Sequence, residues 1–172
     1  MKTIKIILGA ITVLILAFFL TGIVVQEVVY TNEVTINKPV NEVFSDFQDE
    51  ELMKEWMPEV KSIETLEEQT NKIGSKYKVV VENQGKLVTM TEEVLAYKEN
   101  EKLTLHFDAE NMLKTDDYTF TSEGDSTKIL QTTTCTSESY VMSCLFPYFK
   151  GALKKMSQQY LENFKKASEA HN

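Results

Sequence analysis

Residues 141–168 read VMSCLFPYFKGALKKMSQQYLENFKKAS, and this stretch decides which fold the chain can adopt. Large apolar side chains recur in it at helical spacing, with lysines largely off the apolar stripe. The apolar positions are Leu145, Phe149, Leu153, Met156, Tyr160 and Phe164. A long amphipathic helix must bury such a stripe against another layer of structure, so the rest of the chain has to supply that layer.

The region before this helix is rich in β-branched and aromatic residues and predicts a sheet. The candidate strands cover residues 28–36, 60–67, 76–82, 87–97, 102–108, 113–121 and 128–137. Short turns such as Asn83-Gln-Gly85 and Glu123-Gly-Asp125 indicate antiparallel hairpins. Two short helices follow the first strand, one begun by Pro39 and one ended by Pro58. We therefore predict an α+β fold in which a curved antiparallel sheet wraps the C-terminal helix and leaves a space between them.

The sequence of the strand at residues 87–97 does not decide which of its two faces is inward. Both of its faces carry apolar residues, namely Leu87, Leu95 and Tyr97 on one and Val88, Met90 and Val94 on the other. If the second face is inward, Glu92 is inward too, and a carboxylate in an apolar pocket would have a raised pKa. In the other register Glu93 faces inward and Glu92 is solvated. Glu92 is therefore a weak catalytic candidate, and we assign no other catalytic residue.

The N-terminal segment predicts a membrane span. No residue from Ile6 to Val25 is charged, and a helix of that length rises about 30 Å, which matches the hydrocarbon layer. The run is longer than a signal-peptide core and lacks a small-residue cleavage site, so we expect residues 1–26 to remain as an uncleaved signal anchor; a cleaved signal is the alternative. Lys2 and Lys5 precede it, which favours a cytoplasmic N-terminus and places residues 27–172 on the extracytoplasmic side of the cytoplasmic membrane.

The composition argues against several classes of partner. The formal net charge is -8, which disfavours nucleic acid, and all 18 basic residues are lysines, which removes the bidentate grip of arginine on phosphate. Neither the cysteines, Cys135 and Cys144, nor the histidines have the spacing of metal ligands, so we expect no metal and no cofactor. The two cysteines form either a disulfide in an oxidising compartment or a pair of free thiols.

Several short segments, in this order, resemble the SRPBCC or START-like superfamily in its polyketide cyclase/dehydrase branch. Val34–Pro39 and Val43-Phe44 resemble its first strand and proline-initiated helix, and Trp56 falls where the family often has a tryptophan. Residues 118–129 resemble its last hairpin and residues 161–166 the end of its closing helix. The resemblance implies a helix-grip fold, with seven antiparallel strands around the C-terminal helix and an apolar cavity between them. Members bind lipids, sterols, polyketides or other hydrophobic molecules, and a minority are enzymes; no catalytic pattern of the family is present to transfer.

These observations predict a membrane-tethered protein that binds a hydrophobic small molecule or lipid in a cavity between sheet and helix. The candidate pocket residues are Trp56, Tyr77, Met90, Phe107, Tyr118, Phe149, Leu153 and Met156. Core and pocket wall are the same residues in such a fold, so these side chains could equally be packing. A cyclase/dehydrase-like enzyme and a non-catalytic interaction domain with a filled core are the alternatives.

Overall fold

The computed structural model of the protein describes residues 2–171. Its elements in chain order are α1 (Lys2–Val24), β1 (Val28–Ile36), α2 (Val40–Phe47), α3 (Glu50–Trp56), β2 (Val60–Glu67), β3 (Lys76–Asn83), β4 (Lys86–Lys98), β5 (Lys102–Ala109), β6 (Met112–Glu123), β7 (Ser126–Thr136) and α4 (Tyr140–Ala170). All predicted strands are present with small shifts of their bounds. The predicted helix-grip architecture is confirmed, with seven strands packed on a long C-terminal helix.

The seven strands form one antiparallel sheet in the order β1-β7-β6-β5-β4-β3-β2. Strands β2 to β7 are neighbours in sequence and in space, because short hairpins connect them. The turn between β3 and β4 places Gln84 and Gly85 at positive φ, 51° and 77°, as two-residue turns that follow the twist of the strands require. The edge strand β1 pairs with β7, and Val28 lies opposite Cys135.

An aromatic core fills one end of the concave side of the sheet. The short helices α2 and α3 cover this end and contribute Phe47 and Trp56 to it. The ring of Phe47 lies 4.8 Å from that of Tyr118 on β6, centroid to centroid. Phe164 of α4 lies 5.1 Å from Phe47 and 5.3 Å from Trp56. Edge-to-face contacts of this kind lock the C-terminal half of α4 against α2, α3 and the sheet.

The apolar stripe predicted for α4 is only partly right. Phe149 and Met156 are 53% and 48% exposed, so their predicted burial in the core is wrong. The buried face consists of Cys144, Phe146, Ser157, Leu161, Phe164 and Ser168. The physical reason is that small polar residues let the helix approach the sheet: the Ser157 hydroxyl lies 3.2 Å from the hydroxyl of Tyr30 on β1. A hydrophobic pattern does not identify a serine as a contact position.

The last turns of the N-terminal helix α1, around Phe18 to Gly22, meet α4. It is long and apolar enough to cross a membrane, with a mean hydropathy of 2.7 over its most apolar window and none of that window buried. A signal sequence near the N-terminus would have the same properties. The retention of residues 1–26 and the side of the membrane on which the body lies therefore stay predictions.

Both cysteines are buried free thiols. Cys135 belongs to a small apolar cluster with Val28, Tyr30 and Phe146, while Cys144 lies at the contact between α1 and α4. Of the two alternatives left open by the sequence, the structure favours free thiols.

Candidate functional site on the concave face of the sheet

The pairing of β4 decides which of its faces is inward. Val94 is 6% exposed and packs in the core, and Glu92, two residues earlier, lies on the same face. Glu92 pairs directly with Phe107 of β5. Glu93 lies on the opposite face, where its carboxylate is 3.7 Å from the Lys76 ammonium. The sheet therefore adopts the register that places Glu92 on the concave face.

The concave face is filled at one end and partly exposed at the other. Helix α4 packs against β1, α2 and α3, and within residues 2–171 it makes few or no close contacts with β3, β4 and β5. The inner side chains of these three strands therefore lie farther from the backbone of α4 than those of β1 do. Partly exposed ones are Tyr77, Met90, Glu92, Leu105 and Phe107. We call these partly exposed side chains, together with Lys114 of β6 beside them, the recess.

A charged cluster forms the floor of the recess. The Lys114 ammonium lies 2.8 Å from the Asp116 carboxylate and 4.7 Å from the centroid of the Phe107 ring. Thr133 donates a hydrogen bond to Asp116 at 2.6 Å, and the Tyr118 hydroxyl donates a longer one at 3.4 Å. Asp116 is 1% exposed, so its charge is balanced from inside the protein rather than by water.

Three ionisable groups of this cluster have shifted pKa values. Burial raises the pKa of the Glu92 carboxyl to about 7, with the Lys114 ammonium opposing and the Asp116 carboxylate reinforcing the shift. Burial alone would lower the pKa of Lys114, but the Asp116 carboxylate outweighs it and the pKa is raised. Burial, followed by the charges of Asp116 and Glu92, raises the pKa of Tyr118 well above its ordinary value. At neutral pH Lys114 is therefore charged, Tyr118 is neutral and Glu92 is close to half-protonated.

We expect the Glu92 carboxyl to make the protein less stable as the pH rises. The folded state raises the pKa from 4.5 to about 7, so it holds the proton more tightly than the unfolded chain does. The stabilisation is fully present below the unfolded-state pKa and is lost as the pH rises through the folded-state value, a change of up to about 3 kcal/mol. Glu92→Gln should remove this pH dependence.

The measurement is urea unfolding of the full chain in detergent at several pH values between about 4 and 8. Glu93→Gln is the matched control, because Glu93 lies next to Glu92 in sequence but on the outer face of the sheet. It should keep the pH dependence of the wild type. An equal loss of stability with pH in Glu92→Gln would mean that another group titrates.

The predicted pocket residues fall into three environments. Those on the recess are Tyr77, Met90 and Phe107. Those in the aromatic core are Trp56 and Tyr118, which are 3% and 8% exposed. The remaining three lie on α4: Leu153 packs against the small cluster around Tyr30, and Phe149 and Met156 are exposed. Their contact with a ligand stays a prediction.

Sequence reasoning overlooked Lys114 and Asp116. Polar residues at alternate positions of a strand usually face water, so this pair carried no obvious signal. The sequence did contain one signal. Lys114 and Asp116 are spaced two residues apart along the strand, in step with Tyr118 and Phe120, so all four lie on one face of β6. That face is the inner one, as the pairing with Phe107 confirms.

Buried polar atoms without a partner accompany the cluster. Among residues 2–171 these are Asn32 Oδ1, Trp56 Nε1 and Gln131 Oε1. The Gln131 amide donates to the Tyr118 hydroxyl at 3.2 Å, which leaves its oxygen as the free end of the chain of hydrogen bonds that begins at Asp116. Each unsatisfied atom costs about 1–3 kcal/mol, so water or a polar ligand atom that reaches one would be stabilised.

A separate surface groove of about 390 Å³ lies on the other flank of α4. Its lining residues are Asn32, Gly151, Lys154, Lys155, Gln158, Gln159 and Glu162. On this flank α4 is bonded to the edge strand β1, because Asn32 donates to the Lys154 carbonyl and Gln158 donates to the Glu33 carbonyl. Phe149 and Met156 lie on the opposite flank of the helix. Apart from Gly151, the residues that line the groove end in amide or charged groups.

The chain matches one protein family over most of its length. The family described as polyketide cyclase / dehydrase and lipid transport matches residues 27–169. No curated protein matches the chain significantly.

Many solved structures share the fold. A protein from Thermus thermophilus is 18% identical with a TM-score of 0.68, and the match covers 83% of this chain and 97% of that one. A START superfamily protein from Mycobacterium smegmatis is 20% identical with a TM-score of 0.63, covering 83% and 94%. The Zhui aromatase/cyclase from Streptomyces sp. R1128 is 12% identical with a TM-score of 0.63, covering 85% and 99%. At these identities the likeness establishes the fold alone.

Proposed function

Because this chain belongs to the polyketide cyclase/dehydrase and lipid transport family, we propose that it binds a hydrophobic small molecule or lipid in the recess and that α1 tethers it to a membrane. The observation that carries the proposal is the partly exposed concave face, where Met90, Phe107 and Tyr77 lie beside the ion pair of Lys114 and Asp116. Aromatic and methionine side chains form an apolar wall that adapts to the shape of its ligand.

The charges of the recess favour an uncharged or weakly charged ligand. The Lys114 ammonium is already paired with Asp116 at 2.8 Å, so it offers little to a strong anion. Glu92 has a pKa of about 7, so it can accept or donate a hydrogen bond at neutral pH. A molecule that is mostly hydrocarbon with one hydroxyl, carbonyl or ester group would match this arrangement.

The membrane tether is short. Helix α1 ends at Val24 and β1 begins at Val28, so the three residues between them span about 10 Å at most. A span of α1 through the bilayer would therefore hold the recess close to the lipid phase, where a hydrophobic ligand is concentrated. We propose that α1 is retained, with its N-terminus in the cytoplasm and the body on the extracytoplasmic side.

We expect a bulky side chain on the recess to block ligand binding. The full chain is reconstituted in phosphatidylcholine vesicles that contain a photoreactive diacylglycerol, and crosslinked peptides are identified by mass spectrometry. Wild type should crosslink within β3–β5, and Met90→Trp should lose most of that labelling, because indole fills the space beside Phe107 and Glu92. Thr89→Trp is the matched control, since Thr89 is exposed on the other face of β4.

Labelling confined to α1, and equal in both variants, would contradict the proposal. It would favour the alternative of an interaction domain whose recess holds no ligand.

One observation favours an enzyme as the second candidate function. A carboxyl with a pKa of about 7 faces Lys114 and a phenol held neutral at Tyr118, which is a set of groups suited to proton transfer. Under this alternative, Glu92→Gln would abolish turnover of a polyketide-like substrate and leave its binding unchanged. Unchanged turnover in Glu92→Gln would rule out this role for Glu92.

A further inference from the structure

We propose that the first turns of α4, residues 140–149, enter the lipid bilayer beside α1. This inference rests on the proposed anchoring by α1 and extends it to a second element of the chain. The segment reads YVMSCLFPYF and contains no charged residue. Its exposed side chains are large and apolar: Val141 is 51%, Tyr148 61% and Phe149 53% exposed. Such a surface is stable against lipid and costly against water.

The contacts with α1 fix the depth of this segment. The ring of Tyr148 stacks on Phe18 at 6.2 Å, and that of Tyr140 stacks on Phe19 at 6.1 Å. A Cβ atom added at Gly22 would lie 2.5 Å from the Cys144 sulfur, so glycine is needed for this close approach. Both ends of the α4 segment therefore lie level with residues 18–22 of α1.

That level is inside the hydrocarbon layer when α1 spans a bilayer. Phe18 precedes the end of α1 by six residues, or about 9 Å along the helix axis. Since residues at this height on α1 contact lipid, the exposed side of the α4 segment at the same height contacts lipid as well. The occupant of this apolar surface is thus the bilayer that already surrounds α1.

Hydrogen-bonding side chains at the contact between this segment and α1 find partners within the protein, which lowers the cost of burial in lipid. The Thr21 hydroxyl donates to the Cys144 carbonyl at 3.2 Å, and the Tyr140 hydroxyl donates to the Phe19 carbonyl. The Ser143 hydroxyl donates to the Ser137 carbonyl at 3.1 Å. These three hydroxyl groups would therefore keep their hydrogen bonds on entering lipid.

Charged residues begin in the sequence where the segment would leave the bilayer. Lys150, Lys154 and Lys155 follow it directly and are exposed. Lysines at such a boundary keep their aliphatic stems along apolar surface while their ammonium groups reach the head-group layer. Phe149 ends the segment, is 53% exposed and lies on the flank of α4 away from β1, so the proposed insertion places this flank against lipid.

Fluorescence quenching by lipid tests the inference. The full chain, with its mass confirming that α1 is present, is reconstituted in vesicles of brominated phosphatidylcholine. Its single native tryptophan, Trp56, is 3% exposed in the core and supplies an unquenched background. Tyr148→Trp should be quenched several-fold more strongly than Ile73→Trp. Ile73 is a matched control, since it is 44% exposed in the loop between β2 and β3, at the opposite end of the sheet from the start of β1.

A tryptophan on α1 separates the two possible failures. Leu14 is 69% exposed in the middle of α1, so Leu14→Trp reports insertion of that helix. If Leu14→Trp is quenched and Tyr148→Trp matches Ile73→Trp, the α4 inference is wrong and the anchoring proposal stands. If Leu14→Trp is not quenched either, both are wrong.

Discussion

Replacing Phe164 with alanine is expected to lower the free energy of unfolding by about 3–5 kcal/mol. The side chain is 0% exposed and makes edge-to-face contacts with Phe47 and Trp56, with ring centroids 5.1 and 5.3 Å away. Its removal leaves a cavity at the point where α4, α2 and α3 meet. The rigid aromatic neighbours cannot close this cavity, because the sheet holds them from behind.

Chemical denaturation of the full chain in detergent measures this change. Phe149→Ala is the control on the same helix, because Phe149 is 53% exposed. In detergent it should alter stability by about 0.5 kcal/mol or less. Equal effects of the two substitutions would mean that the buried face of α4 is not the one that contains Ser157, Leu161 and Phe164.

Replacing Lys114 with methionine is expected to cost about 3–5 kcal/mol, although methionine fills much of the same space. The reason is the partner left behind: the Asp116 side chain is 2% exposed and loses the ammonium that lies 2.8 Å away. Thr133 still donates to it at 2.6 Å, but one hydroxyl does not balance a buried charge.

A double-mutant cycle measures the coupling directly. Asp116→Asn alone should cost less than Lys114→Met, because Lys114 keeps 25% of its side-chain surface exposed and can be hydrated. The double variant should be more stable than Lys114→Met alone, since no unpaired charge remains. Additive costs in the cycle would show that the two groups do not interact and that the charged floor of the recess is wrongly described.

The hydrophobic periodicity of the chain was sufficient to predict most of the architecture. Alternating strands separated by short turns predict an antiparallel meander, and the stripe ending at Phe164 predicts the helix that packs on it. Trp56 and Tyr118 were singled out from the sequence as well, although they proved to be core residues at the edge of the site. Large apolar side chains reveal their positions because burial is the only way to remove them from water.

The polar part of the site was harder to predict from the sequence. Glu92 could be named only as one of two alternatives, because β4 is apolar on both faces and only pairing with β3 and β5 selects one. Lys114 and Asp116 were missed, since a charge pair is recognised as buried only when its surroundings are known. The exposure of Phe149 and Met156 was also missed, because the sequence does not show which part of an apolar helix face packs against the sheet.

The sequence by itself determined the elements, their order and the apolar N-terminal helix, because backbone preferences and hydrophobic spacing act over a few residues at a time. Only the tertiary structure decided that α4 lies closer to β1 than to β3–β5, that Glu92 shares the inner face with Lys114, and that residues 140–149 lie beside α1. Each of these features depends on contacts between residues far apart in the chain. Gly22 and Cys144 are an example, because the absence of a side chain at Gly22 lets α1 and α4 approach closely. Local sequence patterns do not show which distant residues come into contact, so the site can be identified only in the folded structure.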